Sequence, residues 1–202
     1  MDREAWNRRY AGSDFVWTAQ PNRFLVVETA GLPPGRALDV ACGEGRNAVW
    51  LAGQGWLSTG VDFSDVALAK ARRLAEARGV KAEWVQGDVV THRPNERAYD
   101  LVIVFYLQLA EAPRRQALRA AADAVAAGGT LLVVAHDSSN LEHGYGGPQD
   151  PAVLYTGADV AADLDGAGLE LERADVVERP VQTPEGERTA LDLLFRARRP
   201  PG

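Results

Sequence analysis

From residue 36 onward, short apolar runs alternate with longer amphipathic stretches. The runs rich in β-branched residues predict strands at 37–41, 58–63, 82–86, 100–106 and 130–135. The stretches between them predict helices at 46–54, 65–78 and 113–127, and the polar stretch 91–98 predicts a loop or short irregular helix. This alternation is typical of repeated βα units around a parallel sheet.

The C-terminal third follows a different pattern. A helix at 156–167 precedes two strands, 169–181 and 188–198, whose Thr-Pro-Glu-Gly-Glu connection predicts an antiparallel hairpin. The strand at 100–106 is nearly all apolar, which predicts a position at the centre of the sheet. The polar, glycine-rich segment 137–155 is long for a connection, so we expect a lid or substrate loop there.

The bulk composition restricts the class of protein. The 202 residues are 46% apolar and 25% charged, which fits one domain with one core. A net charge of −6 without a basic block argues against nucleic acid as a partner. The single cysteine and the absence of paired Cys/His spacing predict no metal site. No signal peptide or membrane-spanning run is evident, so we expect a cytoplasmic protein without a membrane partner.

The strongest local signal is a strand, a glycine-containing turn and a helix start in direct succession at 38–47. Gly43 and Gly45 let the backbone approach a bulky ligand where a Cβ would collide. Taken alone, the spacing also matches the glycine loop of NAD-binding folds.

Asp39 favours a different cofactor. S-adenosylmethionine carries an ammonium and a sulfonium, and a carboxylate just ahead of the turn suits a cation. A nicotinamide cofactor places its pyrophosphate at this turn, where a carboxylate would repel it. The residues therefore favour an S-adenosylmethionine-dependent methyltransferase, with an NAD(P)-dependent oxidoreductase as the alternative.

Two more acidic residues follow at the ends of the next two strands. Asp62 lies about twenty residues past the glycines, where a carboxylate can accept both ribose hydroxyls. Asp88 can accept a hydrogen bond from the adenine amino group while the Val89 amide meets a ring nitrogen. The simpler alternatives are a helix-capping role for Asp62 and a plain turn role for Asp88. All three carboxylates fall at the sheet edge where ligands bind in open α/β folds.

The order of these acidic positions resembles the class I S-adenosylmethionine-dependent methyltransferases, from about Gly35 to Arg198. The resemblance implies an α/β, Rossmann-like sheet of seven mostly parallel strands, with helices on both faces and an antiparallel C-terminal hairpin. It defines a methyltransferase domain at 35–202. Ala41 stands where the family most often has its first glycine. The other cofactor-binding positions that the resemblance implies are Asn47, Phe63 and Phe105.

The N-terminal segment, residues 1–34, is similar to the pre-domain segment of small-molecule methyltransferases of the tellurite-resistance and thiopurine types. The matching residues lie at 6–10, 16–17 and 20–24. This similarity implies a segment that covers the cofactor, with Tyr10 and Trp17 near its methionine end, where an aromatic face can stabilise a sulfonium. The alternative is that both aromatic residues only anchor a covering helix.

Methyl transfer from a sulfonium is an in-line displacement that needs few catalytic groups, although a hydroxyl acceptor requires a base. The candidate bases are His136, at a strand end with Asp137 beside it, and His143 in the following loop. The alternative for His136 is a purely structural, hydrogen-bonded role at the strand end. Phe105, Tyr106 and Gln108 are candidate walls of the acceptor pocket, and we expect the loop 140–149 to cover it.

The sequence thus predicts methyl transfer from S-adenosylmethionine to a small-molecule acceptor, which is a thiol, hydroxyl, amine or metalloid oxyanion. A non-catalytic regulator that binds S-adenosylmethionine is a further alternative. The acceptor and the oligomeric state are left open, because specificity in such folds resides in loops on a shared scaffold.

Overall fold

Seven strands form a single sheet in the computed structural model, which describes residues 2–12 and 15–202. The strands are β1 (Arg36–Val40), β2 (Leu57–Asp62), β3 (Glu83–Gln86), β4 (Tyr99–Phe105), β5 (Val125–His136), β6 (Glu170–Thr183) and β7 (Gly186–Arg198). Their order is β3-β2-β1-β4-β5-β7-β6, and only β7 runs antiparallel to its neighbours. The predicted sheet and its C-terminal hairpin are confirmed.

The helices lie between these strands and ahead of them. They are α1 (Arg3–Ala11), α2 (Arg23–Glu28), α3 (Arg46–Gly53), α4 (Asp65–Ala77), α5 (Glu111–Ala124), α6 (Asn140–His143) and α7 (Gly157–Asp163), with a 3₁₀ turn at Pro151–Val153. The Ser64 hydroxyl caps α4 by accepting from the Ala67 N–H. None of the described helices combines the length and the apolar character needed to cross a bilayer.

Strand β4 occupies the middle of the sheet and is covered on both faces. Leu101 and Ile103 pack in one core cluster with residues of α2 and α3, while Val102 and Val104 pack in a second cluster with residues of α5 and α7. All four side chains are fully buried. The alternation of a strand places successive side chains on opposite faces, so a strand with two helical layers must be apolar at every position. The central position predicted for this strand is confirmed.

Two predicted helices end earlier than their alanine-rich sequences suggest. The helix predicted to reach residue 127 ends at Ala124, because Val125 pairs with Tyr99 in the β4–β5 ladder. The ladder resumes at Thr130, opposite Leu101, so the residues between form an irregularity. Likewise α7 ends at Asp163 instead of 167. Alanine favours helix locally, but pairing within the sheet overrides that preference after α5, and after α7 the chain turns through residues 164–168 before β6 begins. The stretch 91–98 contains no helix.

Ala41 has a left-handed backbone, with φ of +59°. The left-handed conformation costs an alanine about 1–2 kcal/mol, whereas glycine adopts it freely. Ala41→Gly should therefore raise the free energy of unfolding by up to about 1 kcal/mol, because the entropy of the unfolded chain offsets about 0.4–1 kcal/mol of the relief. Urea denaturation measures the difference.

The matched control is Ala77→Gly, at an exposed alanine in the last turn of α4. That change should lower the free energy of unfolding by about 0.5 kcal/mol or more, because helical glycine is less favourable than alanine. An equal loss of stability in both variants would show that Ala41 carries no backbone strain.

Candidate cofactor and acceptor site

The glycine turn after β1 brings its backbone very close to α4 and β3. Gly45 has φ of +77°, and a Cβ at this position would lie 2.6 Å from the Cβ of Ala71 and 2.6 Å from the Trp84 ring. Both neighbours are held in packed elements, so neither can move aside cheaply. The turn closes with a hydrogen bond of 2.9 Å from the Gly45 N–H to the Cys42 carbonyl. Only glycine fits this position, which fixes the start of α3 at the carboxyl edge of the sheet.

Asp39 is a buried carboxylate on β1, immediately ahead of the glycine turn. Its side chain accepts a hydrogen bond of 3.2 Å from the Ala48 N–H of α3. Burial raises the pKa of Asp39 to about 7, although that hydrogen bond and the charge of Arg46 oppose the shift. Among the described residues, no cationic side chain comes within ion-pair distance of it. The negative charge of Asp39 therefore lacks a counter-ion from this part of the chain.

Asp62 ties the end of β2 to the glycine turn. One carboxylate oxygen accepts from the Gly43 N–H at 2.9 Å, and the other accepts from the Ser64 N–H at 2.9 Å. Burial raises the pKa of Asp62 in spite of these bonds. The side chain that caps α4 is Ser64, so Asp62 does not have the capping role that the sequence left open.

Asp88 and Val89 follow β3, the edge strand next to β2. The Asp88 carboxylate is exposed and accepts from the Val90 N–H at 2.9 Å, as in a tight turn. Val89 is partly buried against the main core cluster. Since β1, β2 and β3 are adjacent and parallel, Asp39, Asp62 and Asp88 lie toward the same edge of the sheet, as predicted.

The N-terminal segment is laid over the glycine turn. The buried carboxylate of Glu44 accepts from the N–H groups of Val16 at 3.0 Å and Trp17 at 3.2 Å, and it pairs with Lys70 at 3.0 Å. The Tyr10 hydroxyl lies 3.0 Å from where a Cβ on Gly43 would stand. Burial first, and Asp62 second, raise the pKa of Tyr10.

The predicted aromatic residues differ in their surroundings. Tyr10 is buried and stacks on Trp6 with a centroid distance of 5.3 Å. Trp17 is 45% exposed, and the Arg9 guanidinium lies 4.9 Å from its ring centroid. A cation of the chain itself thus occupies one face of Trp17. This contact favours the alternative in which Trp17 anchors the covering segment.

Asn47 and Phe105 contribute mainly to the packing around the site. The Asn47 side chain accepts from the Asn22 N–H at 2.9 Å, which fastens the start of α2 to α3. Phe105 is buried in the core layer between the sheet and these two helices. Phe63 is half-buried, and its carbonyl accepts from the Gln86 side chain at 3.3 Å.

A polar cluster lies at the carboxyl ends of β4 and β5, beside the last hairpin. Asp192 of β7 is fully buried and accepts from the Tyr106 hydroxyl at 2.7 Å and from Arg179 Nε at 2.6 Å. His136 Nδ1 lies 3.2 Å from the other oxygen of Asp192. Tyr106 has φ of +55°, and its hydroxyl also accepts from the Asn22 side chain at 3.4 Å.

Sequence reasoning missed Asp192 and Arg179. The available signal is the acid in the middle of the apolar run Ala-Leu-Asp-Leu-Leu-Phe at 190–195. A charge at a buried strand position is rare unless it is paired.

The two candidate bases are separated. His136 belongs to the cluster around Asp192, whereas the His143 side chain is 70% exposed on α6, 3.8 Å from Glu142. Asp137, predicted beside His136, accepts instead from the Ser139 N–H at 2.9 Å. Gln108 accepts from the His136 N–H at 3.1 Å and so holds the end of β5.

Arg46 is a third residue that sequence reasoning missed. It is the first residue of α3, and its guanidinium is half-buried among Tyr106, Asp39 and Arg179. Burial lowers the pKa of Arg46. It makes no hydrogen bond or ion pair with any residue in the described ranges. The Arg46 guanidinium thus lies near the Asp39 carboxylate at the start of α3, but neither forms an ion pair with a described residue.

Comparisons with known proteins agree with this geometry. Residues 37–129 match the family profile of a methyltransferase domain. Thiocyanate methyltransferase 1 of Arabidopsis thaliana is 40% identical over 87 residues, which are 42% of this chain and 37% of that protein. Ribosomal RNA small subunit methyltransferase C of Chromohalobacter salexigens is 36% identical over 118 residues, which are 55% of this chain and 35% of that protein. The matched region spans less than half the length of these relatives.

One solved structure resembles nearly the whole chain. It comes from a study of the conversion of a disulfide bond into a thioacetal group during echinomycin biosynthesis, and it superposes with a TM-score of 0.79 at 25% identity. The match covers 98% of this chain and 91% of the other. Residues 37–129 thus match a methyltransferase domain, the whole chain resembles class I S-adenosylmethionine-dependent methyltransferases in fold, and the comparisons do not favour the NAD(P)-dependent alternative.

The raised pKa of Asp39 predicts a stability effect with a definite sign. Below the pKa of the unfolded chain Asp39 is neutral in both states, whereas between that value and about 7 only the unfolded chain loses the proton. Wild-type stability therefore falls over this interval for this group. Asp39→Asn removes the ionisation, so its advantage in the free energy of unfolding should be larger at about pH 8 than at about pH 5. A pH-independent difference in urea unfolding would contradict this assignment.

Proposed function

We propose that this protein transfers the methyl group of S-adenosylmethionine to a small-molecule acceptor. The observation that carries the proposal is the uncompensated buried charge of Asp39 next to the glycine turn. A low-dielectric site that holds a carboxylate without its own cation favours a cationic ligand, and the ammonium of S-adenosylmethionine supplies one.

Different residues at the sheet edge are proposed to bind different parts of the cofactor. Asp39 faces the ammonium and Arg46 the carboxylate of the amino-acid tail, since these are the two unpaired charges at the start of α3. Asp62 accepts the ribose hydroxyls with its remaining lone pairs. Asp88 and the Val89 amide meet the adenine ring.

The segment 1–34 is proposed to close the cofactor site. Its support is the anchoring of Val16 and Trp17 to Glu44 and the packing of Tyr10 over Gly43. Because these contacts are made to the glycine turn itself, they hold the N-terminal segment directly against the proposed cofactor site. Such a cover excludes water from the reacting groups, which is how a site with few catalytic residues promotes displacement.

The loop 140–149 is proposed to cover the acceptor. Asn140 donates to the Gly146 carbonyl at 2.8 Å and accepts from the Leu191 N–H at 2.7 Å, which ties the loop to β7. A Cβ on Gly147 would lie 3.0 Å from the His136 ring, so the loop passes directly over the imidazole. His136 is therefore the proposed residue on the acceptor side of the site.

A small molecule fits the acceptor better than RNA does. The chain has a net charge of −6, and a polyanion gains its affinity from clustered cations. Thiocyanate methyltransferase, among the relatives, is named for a small sulfur acceptor. We place the protein in the cytoplasm, where its one cysteine, the buried Cys42, stays reduced.

The proposed function is tested by binding and by turnover. Calorimetry should show binding of S-adenosylhomocysteine and none of NAD⁺. Release of S-adenosylhomocysteine from S-adenosylmethionine should then be measured with thiols, phenols, thiocyanate, selenite, tellurite and ribosomal RNA. Turnover of RNA alone would overturn the small-molecule assignment, and binding without turnover of any acceptor would favour the non-catalytic regulator.

Arg46→Met tests whether Arg46 binds the carboxylate of the cofactor's amino-acid tail. Loss of a charge-assisted hydrogen bond, about 1.5–3 kcal/mol, should weaken the binding of S-adenosylhomocysteine by roughly tenfold to a hundredfold. 5′-Methylthioadenosine lacks the amino-acid tail, so its affinity should not change. A loss of affinity for both ligands would show a general effect on the site, and no loss for either would place Arg46 outside the cofactor site.

A further inference from the structure

The buried carboxylate of Asp192 accepts hydrogen bonds from two side chains, Tyr106 and Arg179. It receives the Tyr106 hydroxyl at 2.7 Å, Arg179 Nε at 2.6 Å and, at its second oxygen, Arg179 Nη2 at 3.4 Å. His136 Nδ1 lies 3.2 Å from that second oxygen. Burial opposes ionisation, but the contacts from His136, Arg179 and Tyr106 together hold the pKa of Asp192 below its ordinary value. These contacts therefore favour the ionised form of Asp192.

This anion faces the imidazole ring of His136. Position 136 of β5 lies directly opposite position 192 of the antiparallel strand β7. His136 Nδ1 is buried and makes no hydrogen bond of good geometry with a described residue, and the charged group that faces it is the Asp192 carboxylate, 3.2 Å away. An ionised carboxylate can accept a hydrogen bond but cannot donate one. Asp192 therefore favours the imidazole tautomer that carries its proton on Nδ1.

The remaining ring nitrogen of His136 is left with its lone pair. The side chain is 14% exposed, and because Nδ1 itself is buried, this exposure falls on the other ring atoms. The charged and titratable groups around the ring are Asp192 on β7, Arg179 on β6 and Tyr106 after β4. The Arg179 charge compensates Asp192, so the cluster needs no ligand to be neutral.

We propose that Asp192 positions His136 as a general base, and that the acceptor is a protic nucleophile such as an aliphatic thiol or a hydroxyl. This inference rests on the proposed methyltransferase function. A base held in one tautomer has a use only where the acceptor must lose a proton. Thiocyanate carries no proton and would not require His136.

The proposed step is a displacement at the methyl carbon together with a proton transfer to His136. A lone pair of the acceptor sulfur or oxygen forms the bond to the methyl carbon while the carbon–sulfur bond of the donor breaks, leaving its electron pair on the sulfur. The acceptor proton moves to His136 Nε2. The resulting imidazolium is stabilised by Asp192 and then loses the proton to water.

The tautomer is tested by nitrogen-15 NMR of the imidazole rings at about pH 8, where an ordinary histidine is neutral. The chain has three histidines, so the signals lost in His136→Gln identify this ring. A proton on Nδ1 in the wild type, and its loss or redistribution in Asp192→Asn, is the expected result. A proton on Nε2 in the wild type would overturn the proposal.

The base role is tested by comparing acceptors. With 2-mercaptoethanol, which is mostly protonated at neutral pH, His136→Gln should lower kcat by about a hundredfold or more, and Asp192→Asn by about tenfold or more. With thiocyanate, the same variants should differ little from the wild type. If Asp192→Asn fails to fold, Tyr106→Phe provides a second test. It removes one hydrogen-bond donor from Asp192 and leaves the contact between Asp192 and His136, so the His136 tautomer should be preserved.

The controls separate this proposal from the proposed function. Glu76→Gln, at an exposed residue in the last turn of α4, should leave turnover unchanged. S-adenosylhomocysteine should bind His136→Gln and the wild type equally, whereas a wild type that does not bind it would refute the methyltransferase function itself. Turnover of thiocyanate but not of 2-mercaptoethanol by the wild type would refute the protic acceptor alone.

Discussion

A carboxylate buried without a cation is the constraint on which this site depends. Asp39 lies in an interior strand, and burial raises its pKa to about 7. The fold accepts this cost because β1 is held between β2 and β4 and because the Ala48 N–H supplies one hydrogen bond. Functional sites commonly retain such destabilising groups where a ligand completes them. The same strand end carries the glycine turn, so the charge and the close backbone approach are set together.

Two buried carboxylates divide the site into halves with opposite electrostatics. Asp39 has a raised pKa because it is buried, and the charge of Arg46, which is not in ion-pair contact with it, opposes that shift only in part. Asp192 has a lowered pKa because Arg179, Tyr106 and His136 surround it. When the environments of two carboxyl groups shift their pKa values in opposite directions, the two groups are suited to different roles. The first carboxylate is suited to a cation that arrives with the ligand, and the second to holding a neighbouring side chain.

The glycine turn also organises the N-terminal segment. Glu44, between the two glycines, accepts hydrogen bonds from the backbone N–H groups of Val16 and Trp17. The Asn47 side chain accepts one from the backbone N–H of Asn22. Both anchors come from residues that lie in or directly after the turn. A change in the turn therefore affects the cover, the start of α2 and the start of α3 at once, although these parts are distant in sequence.

The sequence by itself determined the βα succession, the central place of β4, the antiparallel hairpin and the three acidic strand ends. These features follow from local periodicity and residue type, which report which face of an element is buried. Local propensity was wrong about the ends of α5 and α7, where sheet pairing and chain reversal overrode alanine.

Only the tertiary structure decided the partners of the charged groups. His136 was predicted beside Asp137, its neighbour in the chain, yet the antiparallel register of β5 and β7 sets it opposite Asp192. Arg46 lies within the glycine motif, but at a position where the motif specifies no residue type. Only its burial near Asp39 in the structure indicates a functional role. A sequence shows which residues can be charged, whereas pairing between distant strands determines which charges meet.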